Sequence, residues 1–160
     1  MAAPRRNALI QTLERMLWDN IHSTASGYTY TLADVKRNPS VPGMSFPAVY
    51  IIEQGDIVYE VPQLGYKGMS LIRKRRMDVM LELWLKPTEE ATASNELMDF
   101  YGDVRRALFH LDGGTLGGLC KMKEYGTSRV AWPKYGDSGS LIGMAMYVYI
   151  FYVDSPQETY

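Results

Sequence analysis

The sequence predicts an α+β fold, a mostly antiparallel sheet of about five strands with two main helices packed on one face. Three observations carry this. Residues 7–22 repeat apolar side chains at helical spacing. Residues 76–85 alternate with period two. A second helical segment is then followed by two strand-like runs joined by a hairpin-length connection. At 160 residues the chain fits one domain spanning 1–160, with a loose polar tail at 155–160.

In the first helix Leu9, Ile10, Leu13, Met16, Leu17 and Ile21 form one stripe, while Glu14, Arg15 and Asp19 face elsewhere. Pro4 and Asn7 are start signals and Gly27 a stop. YTYTLADV (28–35), rich in Tyr and Thr, reads as a strand. RNPSVPG (37–43) reads as a turn, and FPAVYIIEQGD (46–56) as a strand closing on a Gly-Asp turn. Residues 57–72 form a less regular strand and loop, broken by Pro62, Gly65 and Gly68.

The clearest strand is 76–85. Met77, Val79, Leu81, Leu83 and Leu85 point to the core, and Arg76, Asp78, Met80, Glu82 and Trp84 point away. KPTEEATASN (86–95) is a polar link in which Ser94 or Thr92 is positioned to cap the next helix, with Glu96 in its first turn. That helix, 95–111, places Leu97, Tyr101, Val104, Leu108 and Leu111 on one side and stops at Gly113 and Gly114. Strand 119–132, loop 133–140 and strand 141–154 follow. The last strand is apolar on both faces, which places it inside the sheet.

Composition narrows the function classes. Seventeen Lys and Arg nearly cancel eighteen Asp and Glu, so a dedicated nucleic-acid binder, with its usual basic excess, is disfavoured. One cysteine, Cys120, excludes an intrachain disulfide and a cysteine zinc cage built by this chain alone. The start carries no signal-peptide pattern, and the longest apolar run, 141–153, is too short to span a bilayer. A protein without membrane association is expected. Twelve Tyr and ten Met exceed what a small core needs, and both residue types are adapted to interfaces.

The inventory of chemical groups is thin. His22 lies three positions after Asp19 at a helix end, and His110 near the end of the second helix suits the helix dipole. Both have structural readings that outweigh a catalytic or metal-binding one. Cys120 reads as a buried small hydrophobe. GGTLGG (113–118) follows a helix and lacks the Lys-Ser/Thr ending of a phosphate loop, so it reads as a flexible connection. DSGS (137–140) does not make a nucleophile elbow. No enzymatic activity, cofactor or metal site is expected.

One stretch remains. RKRRMDVMLELWL (73–85) opens with four cations before its alternating run. Arg73, Lys74, Arg75 and Arg76 read either as a phosphate grip or as solvated loop residues guarding a strand end. In a symmetric ring the cluster would repeat once per subunit and become a belt.

The opening amphipathic helix, "FPAVYIIEQGD", "RRMDVMLELWL", the helix ending "HLDGG" and the late hairpin up to "MYVYIFYVD" together resemble the tail terminator proteins of long-tailed bacteriophages, also called minor tail or tail-completion proteins. The resemblance spans nearly the whole chain. It rests on element order and pattern, not on a catalytic motif. It implies an α+β subunit of a homohexameric ring at the head-proximal end of the tail tube, assembled in the host cytoplasm. Such a ring stops tube polymerisation and offers a surface to the neck proteins. The implied partners are other copies of the chain, the tube protein, a neck or connector protein, in some members a sheath protein, and DNA threading the lumen without sequence-specific binding. The family offers no functional residue to carry over singly. The interface candidates are therefore Arg73, Lys74, Arg75, Arg76, Met80, Trp84, Tyr59 and Tyr66. A neck connector or head–tail joining protein of the same particle is the alternative. A DNA-binding module using residues 73–76 and a small hydrolase built on Cys120 or His22 stand behind it.

Overall fold

In a computed structural model, residues 5–40, 43, 45–60, 73–131 and 141–154 are described. Helix α1 (Arg5–Asn20) leads into strands β1 (Asp34–Arg37), β2 (Ala48–Glu60) and β3 (Arg73–Leu85). Helix α2 (Ala93–Arg105) continues through one π-helical turn, Arg106–His110, and strands β4 (Lys121–Ala131) and β5 (Ile142–Asp154) complete the chain. The sheet order is β1-β2-β3-β5-β4. Every pairing is antiparallel except β1 with β2, so the sheet is mixed and mostly antiparallel.

Both helices cover one face. Leu9, Ile10, Leu13 and Leu17 of α1 and Leu97, Phe100 and Val104 of α2 are buried with Val49 and Ile51 of β2. Met77, Val79, Leu81, Leu83 and Leu85 of β3 and alternate residues of β5 from Ile142 to Tyr152 close the same core. The two periodicities of the sequence, 3.6 on the helices and 2 on β3, thus meet in one apolar layer. Strand β5 lies inside the sheet, between β3 and β4, as its two apolar faces demand.

The structure corrects several expectations. Residues 28–33 do not form a strand. The amides of Thr29 and Tyr30 donate to the carboxylate of Asp103 on α2, at 2.8 to 3.1 Å, instead of to a neighbouring strand. Only Asp34–Arg37 pairs, and it does so parallel to β2. Gly55 and Asp56 do not turn the chain. They lie inside β2 beside a register shift between Glu53 and Gly55, the other meaning of an isolated glycine in a strand. Residues 57–60 therefore extend β2, and 61–72 lie outside the described residues.

The second helix also differs. It begins at Ala93, so Ser94 is inside it, and Thr92 at its N-cap makes no capping bond with its side chain. The Glu96 carboxylate instead accepts from the Thr88 amide and hydroxyl and the Thr92 hydroxyl. The π-helical turn rotates the stripe beyond Val104. Ala107 and Leu108 are buried, and Leu111, expected on the apolar side, is 56% exposed. The loop 133–140, with DSGS, and the tail 155–160 lie outside the described residues.

Candidate functional site: the basic strand and the outer sheet face

The four cations of residues 73–76 are not a loop. They are the first residues of β3, and strand geometry sends them alternately to opposite faces. Arg75 stands in register with Tyr152, which is buried on the helix-covered face. Arg76 stands in register with Phe151, on the outer face. A run contiguous in sequence is therefore divided in space.

On the inner side Arg75 enters a charge network beyond the apolar core. Its Nη1 is 3.7 Å from Asp56 Oδ2. The same carboxylate accepts from the Tyr152 hydroxyl and lies 3.7 Å from Arg6 Nη1. Arg6 Nε donates to Glu53 Oε1 at 3.1 Å. Arg37 grips Glu53 in a fork, Nε to Oε2 at 2.8 Å and Nη2 to Oε1 at 3.1 Å, and also donates to Asn7 Oδ1. Asn38 donates to Glu53 Oε2 at 2.7 Å. Burial pushes the Glu53 carboxyl up, but the donors Arg37, Asn38 and Arg6 outweigh it and bring it down to about 2. Three guanidinium groups around two carboxylates tie the start of α1 to β1, β2, β3 and β5. This is structural chemistry, because every charge is occupied by a neighbour.

On the outer face Arg76 donates from Nε to Asp78 Oδ1 at 2.9 Å, with its guanidinium carbon 4.2 Å from the Tyr149 ring centroid. Tyr125 stacks on Tyr149, centroids 3.7 Å apart and planes at 13°. Phe151 meets Tyr149 edge-on. These rings lie on two adjacent strands, β4 and β5, with Arg76 of β3 beside them, on the face that no described helix covers. Tyr125 is 43% exposed, and Tyr147, Tyr149 and Phe151 are half-buried.

The remaining interface candidates fall unevenly. Lys74 is exposed and stands in register with Val153 and Glu60. Met80 is half-buried on the outer face, with the Gln54 amide 3.8 Å from its sulfur. Trp84 does not project freely. It lies on Gly143, where an added Cβ would come within 2.8 Å of its Cε3, and its indole N–H donates to Glu82 at 3.2 Å. The side chains of Tyr59 and Arg73 and all of Tyr66 lie outside what is described.

The groups weighed for catalysis stay apart. His22 and Asp19 are both exposed, with no bond between them among the described contacts. His110 is exposed at the end of the π-helical turn. The Cys120 thiol points to the Thr115 carbonyl at 3.6 Å, and burial, with Asp112 nearby, pushes it up to about 12. A thiol so shifted is a poor nucleophile. Among the described residues no group of three or more His, Cys, Asp or Glu could hold a metal ion. No described helix is long and apolar enough to cross a membrane.

GGTLGG is not a slack connection. Asp112 accepts from the amides of Gly114, Thr115 and Gly117, at 2.9 to 3.2 Å, and Leu116 is fully buried. Gly113, Gly114, Gly117 and Gly118 all have positive φ, which glycine adopts without strain. The amides that a phosphate would need already hold a carboxylate of the chain itself.

Sequence reasoning missed a second basic group. A recess of about 590 Å³ opens at the end of the sheet where β3 and β4 begin and β5 ends. Arg5, Lys74, Lys121 and Lys123 line it with Cys120 and Phe151. The signal was the K-x-K spacing at 121–123, which puts both ammonium groups on one face of a strand, but only the pairing of β4 with β5 brings them toward Lys74. No protein-family model and no curated protein matches the chain.

Proposed function

We propose that the chain is a structural subunit of a phage tail, a ring-forming terminator at the head-proximal end of the tube. The observation that carries this reading is the order of elements behind the resemblance: helix, three strands, helix and two strands in one sheet, with both helices on one face. The opposite face supports it. Tyr125, Tyr147, Tyr149, Phe151 and Met80 form a broad, half-exposed surface of the side chains favoured at interfaces. A subunit that contacts ring neighbours, tube and neck needs such a surface and no active site.

Two measurements test it. Light scattering on the purified protein should give a closed oligomer of the 18.2 kDa chain, six copies in the family pattern. A phage with a nonsense mutation in this gene should make overlong tails beside filled heads. Tails of normal length that fail to join heads would instead assign the chain to the neck. Normal, joined particles would overturn both.

A further inference from the structure

We propose that the open edge of β2, residues 54–60, is the contact through which a second copy of the chain pairs antiparallel across a two-fold axis, with Ile57 facing its own counterpart. The proposal does not rest on the ring reading, because ring contacts join unlike surfaces and a two-fold contact joins like ones.

β1 covers only the first four residues of β2, Ala48–Ile51. Asn38, with φ at +43°, turns the chain away there, and its side-chain oxygen takes the Glu53 amide at 3.0 Å. Beyond Glu53 no strand lies on that side of β2 among the described residues. Main-chain groups alternate between the two sides of a strand. Glu53 points its amide away from β3, so past the register shift Asp56 and Val58 do the same. Ile57 and Val58 are 46% and 39% exposed. Residues 54–60 hold no Lys and no Pro, the usual guards of a bare edge, whereas the other edge strand, β4, opens with Lys121 and Lys123.

The irregularity of β2 identifies the partner. The strand carries two register shifts against β3. In each, two residues stand against one: Gln54 and Gly55 against Asp78, Tyr59 and Glu60 against Lys74. These two pairs lie at equal distances either side of Ile57. A regular strand, whose edge groups recur every two residues, would fall out of step at both. A second β2 running antiparallel carries the same shifts in reversed order and stays in step. Asp56 then exchanges both main-chain bonds with Val58 of the second copy, and Val58 with its Asp56. Ile57 is in register with Arg76 on the outer face, so the two Ile57 side chains meet there as a non-hydrogen-bonded pair, the closest kind of cross-strand contact. No like charges stand opposite each other. Asp56 faces Val58, and Gln54 and Gly55 face Tyr59 and Glu60. The Asp56 carboxylate stays with Arg6 and Arg75.

The test is oxidative cross-linking of the full chain in a Cys120→Ser background. Paired Cα atoms at a non-hydrogen-bonded antiparallel site are about 4.5 Å apart, within disulfide reach. Ile57→Cys should give a covalent pair of chains that reductant reverses. Val58→Cys, offset from its own counterpart by two residues, should not. Light scattering on Ile57→Lys should show half the mass of the wild-type particle, one chain from two, or six from twelve where rings also form. The mass that remains tests the ring reading separately. Ile57 is exposed, and an unchanged far-UV circular dichroism spectrum would exclude a folding defect. Amide exchange at Asp56 and Val58 should be slow in the wild type and fast in Ile57→Lys, while the amides that face β3 keep their protection. Absence of the Ile57→Cys cross-link, equal cross-linking of Val58→Cys, or an unaltered mass in Ile57→Lys would overturn the proposal. So would a cross-link that forms only when Lys123→Cys is added, which would reassign the edge to β4 of a neighbouring copy.

Discussion

Arg76 lies over the Tyr149 ring, its guanidinium carbon 4.2 Å from the centroid, while its Nε holds Asp78. One side chain thus joins a carboxylate on its own strand to a ring on the next, and Tyr125 stacks against the same ring. The side chains of this pair are about 28% exposed, so the ion pair contributes little by itself and the ring contact about 1 kcal/mol. Arg76→Ala should lower the melting temperature by about 2 to 4 °C, at about 2 to 4 °C per kcal/mol for a chain of this size. Tyr149→Leu should cost at least as much. The double variant should cost less than the sum of the two, because both remove one contact. Strict additivity in the melts would show the contact to be energetically idle.

Glu53 makes the fold sensitive to acid. Its carboxyl falls from 4.5 to about 2 in the folded chain. A depressed folded pKa stabilises above the unfolded value, and the gain is lost as pH falls through the folded one. The window therefore runs from about pH 4.5 down to pH 2. The difference corresponds to about 3 kcal/mol, with the side chain only 8% exposed. Urea unfolding of the wild type should weaken steeply across that window. Glu53→Gln should be less stable at pH 7 and should lose less stability than the wild type between pH 4.5 and 2, with Glu96, which is also lowered, still contributing. Parallel pH curves for the two proteins would remove Glu53 from the account.

Much of this was legible in the sequence, and the exceptions share a cause. The stripe from Leu9 to Ile21 and the alternation from Met77 to Leu85 are local patterns, and both reach the core as read. The strand expected at 28–35 begins only at Asp34, because Asp103, more than seventy residues away, takes the Thr29 and Tyr30 amides. Leu111 came out exposed because a π-helical turn shifted a periodicity counted at 3.6. The basic run was found as text, but its division between Asp56 inside and Tyr149 outside depends on strand register. Lys121 and Lys123 joined Lys74 only through β5, which follows both segments in the chain.

Asp103 holds an irregular segment in place. It is 4% exposed, and burial raises its carboxyl while the Tyr30 and Thr29 amides pull it down. Asp103→Ala leaves those part-buried amides without their charged acceptor, and a hydrogen bond to a charged group contributes about 1.5 to 3 kcal/mol. A loss of about 3 kcal/mol, or roughly 6 to 12 °C in melting temperature, is expected. Hydrogen exchange should localise the change, with faster exchange at residues 28–33 and unaltered protection in β3 and β5. Uniform loss of protection would mean that Asp103 supports the whole core and not one segment.

Gly143 is required by Trp84 and not by the backbone. An added Cβ would sit 2.8 Å from Trp84 Cε3 and 3.0 Å from Cζ3, closer than carbon atoms pack. Gly143→Ala must therefore lift the indole off β5 and stretch its bond to Glu82. Overpacking of this kind costs about 1 to 3 kcal/mol. The lifted indole should become wetter, so its fluorescence should move to longer wavelength. Trp18 and Trp132 also emit, so the change is best read as a difference from the Trp84→Phe background. In Trp84→Ala the obstruction is gone, and Gly143→Ala should then cost little or even stabilise the strand, since alanine has less freedom to lose on folding. An equal cost in both backgrounds would place the strain in the strand itself and leave Trp84 free to turn outward toward a partner.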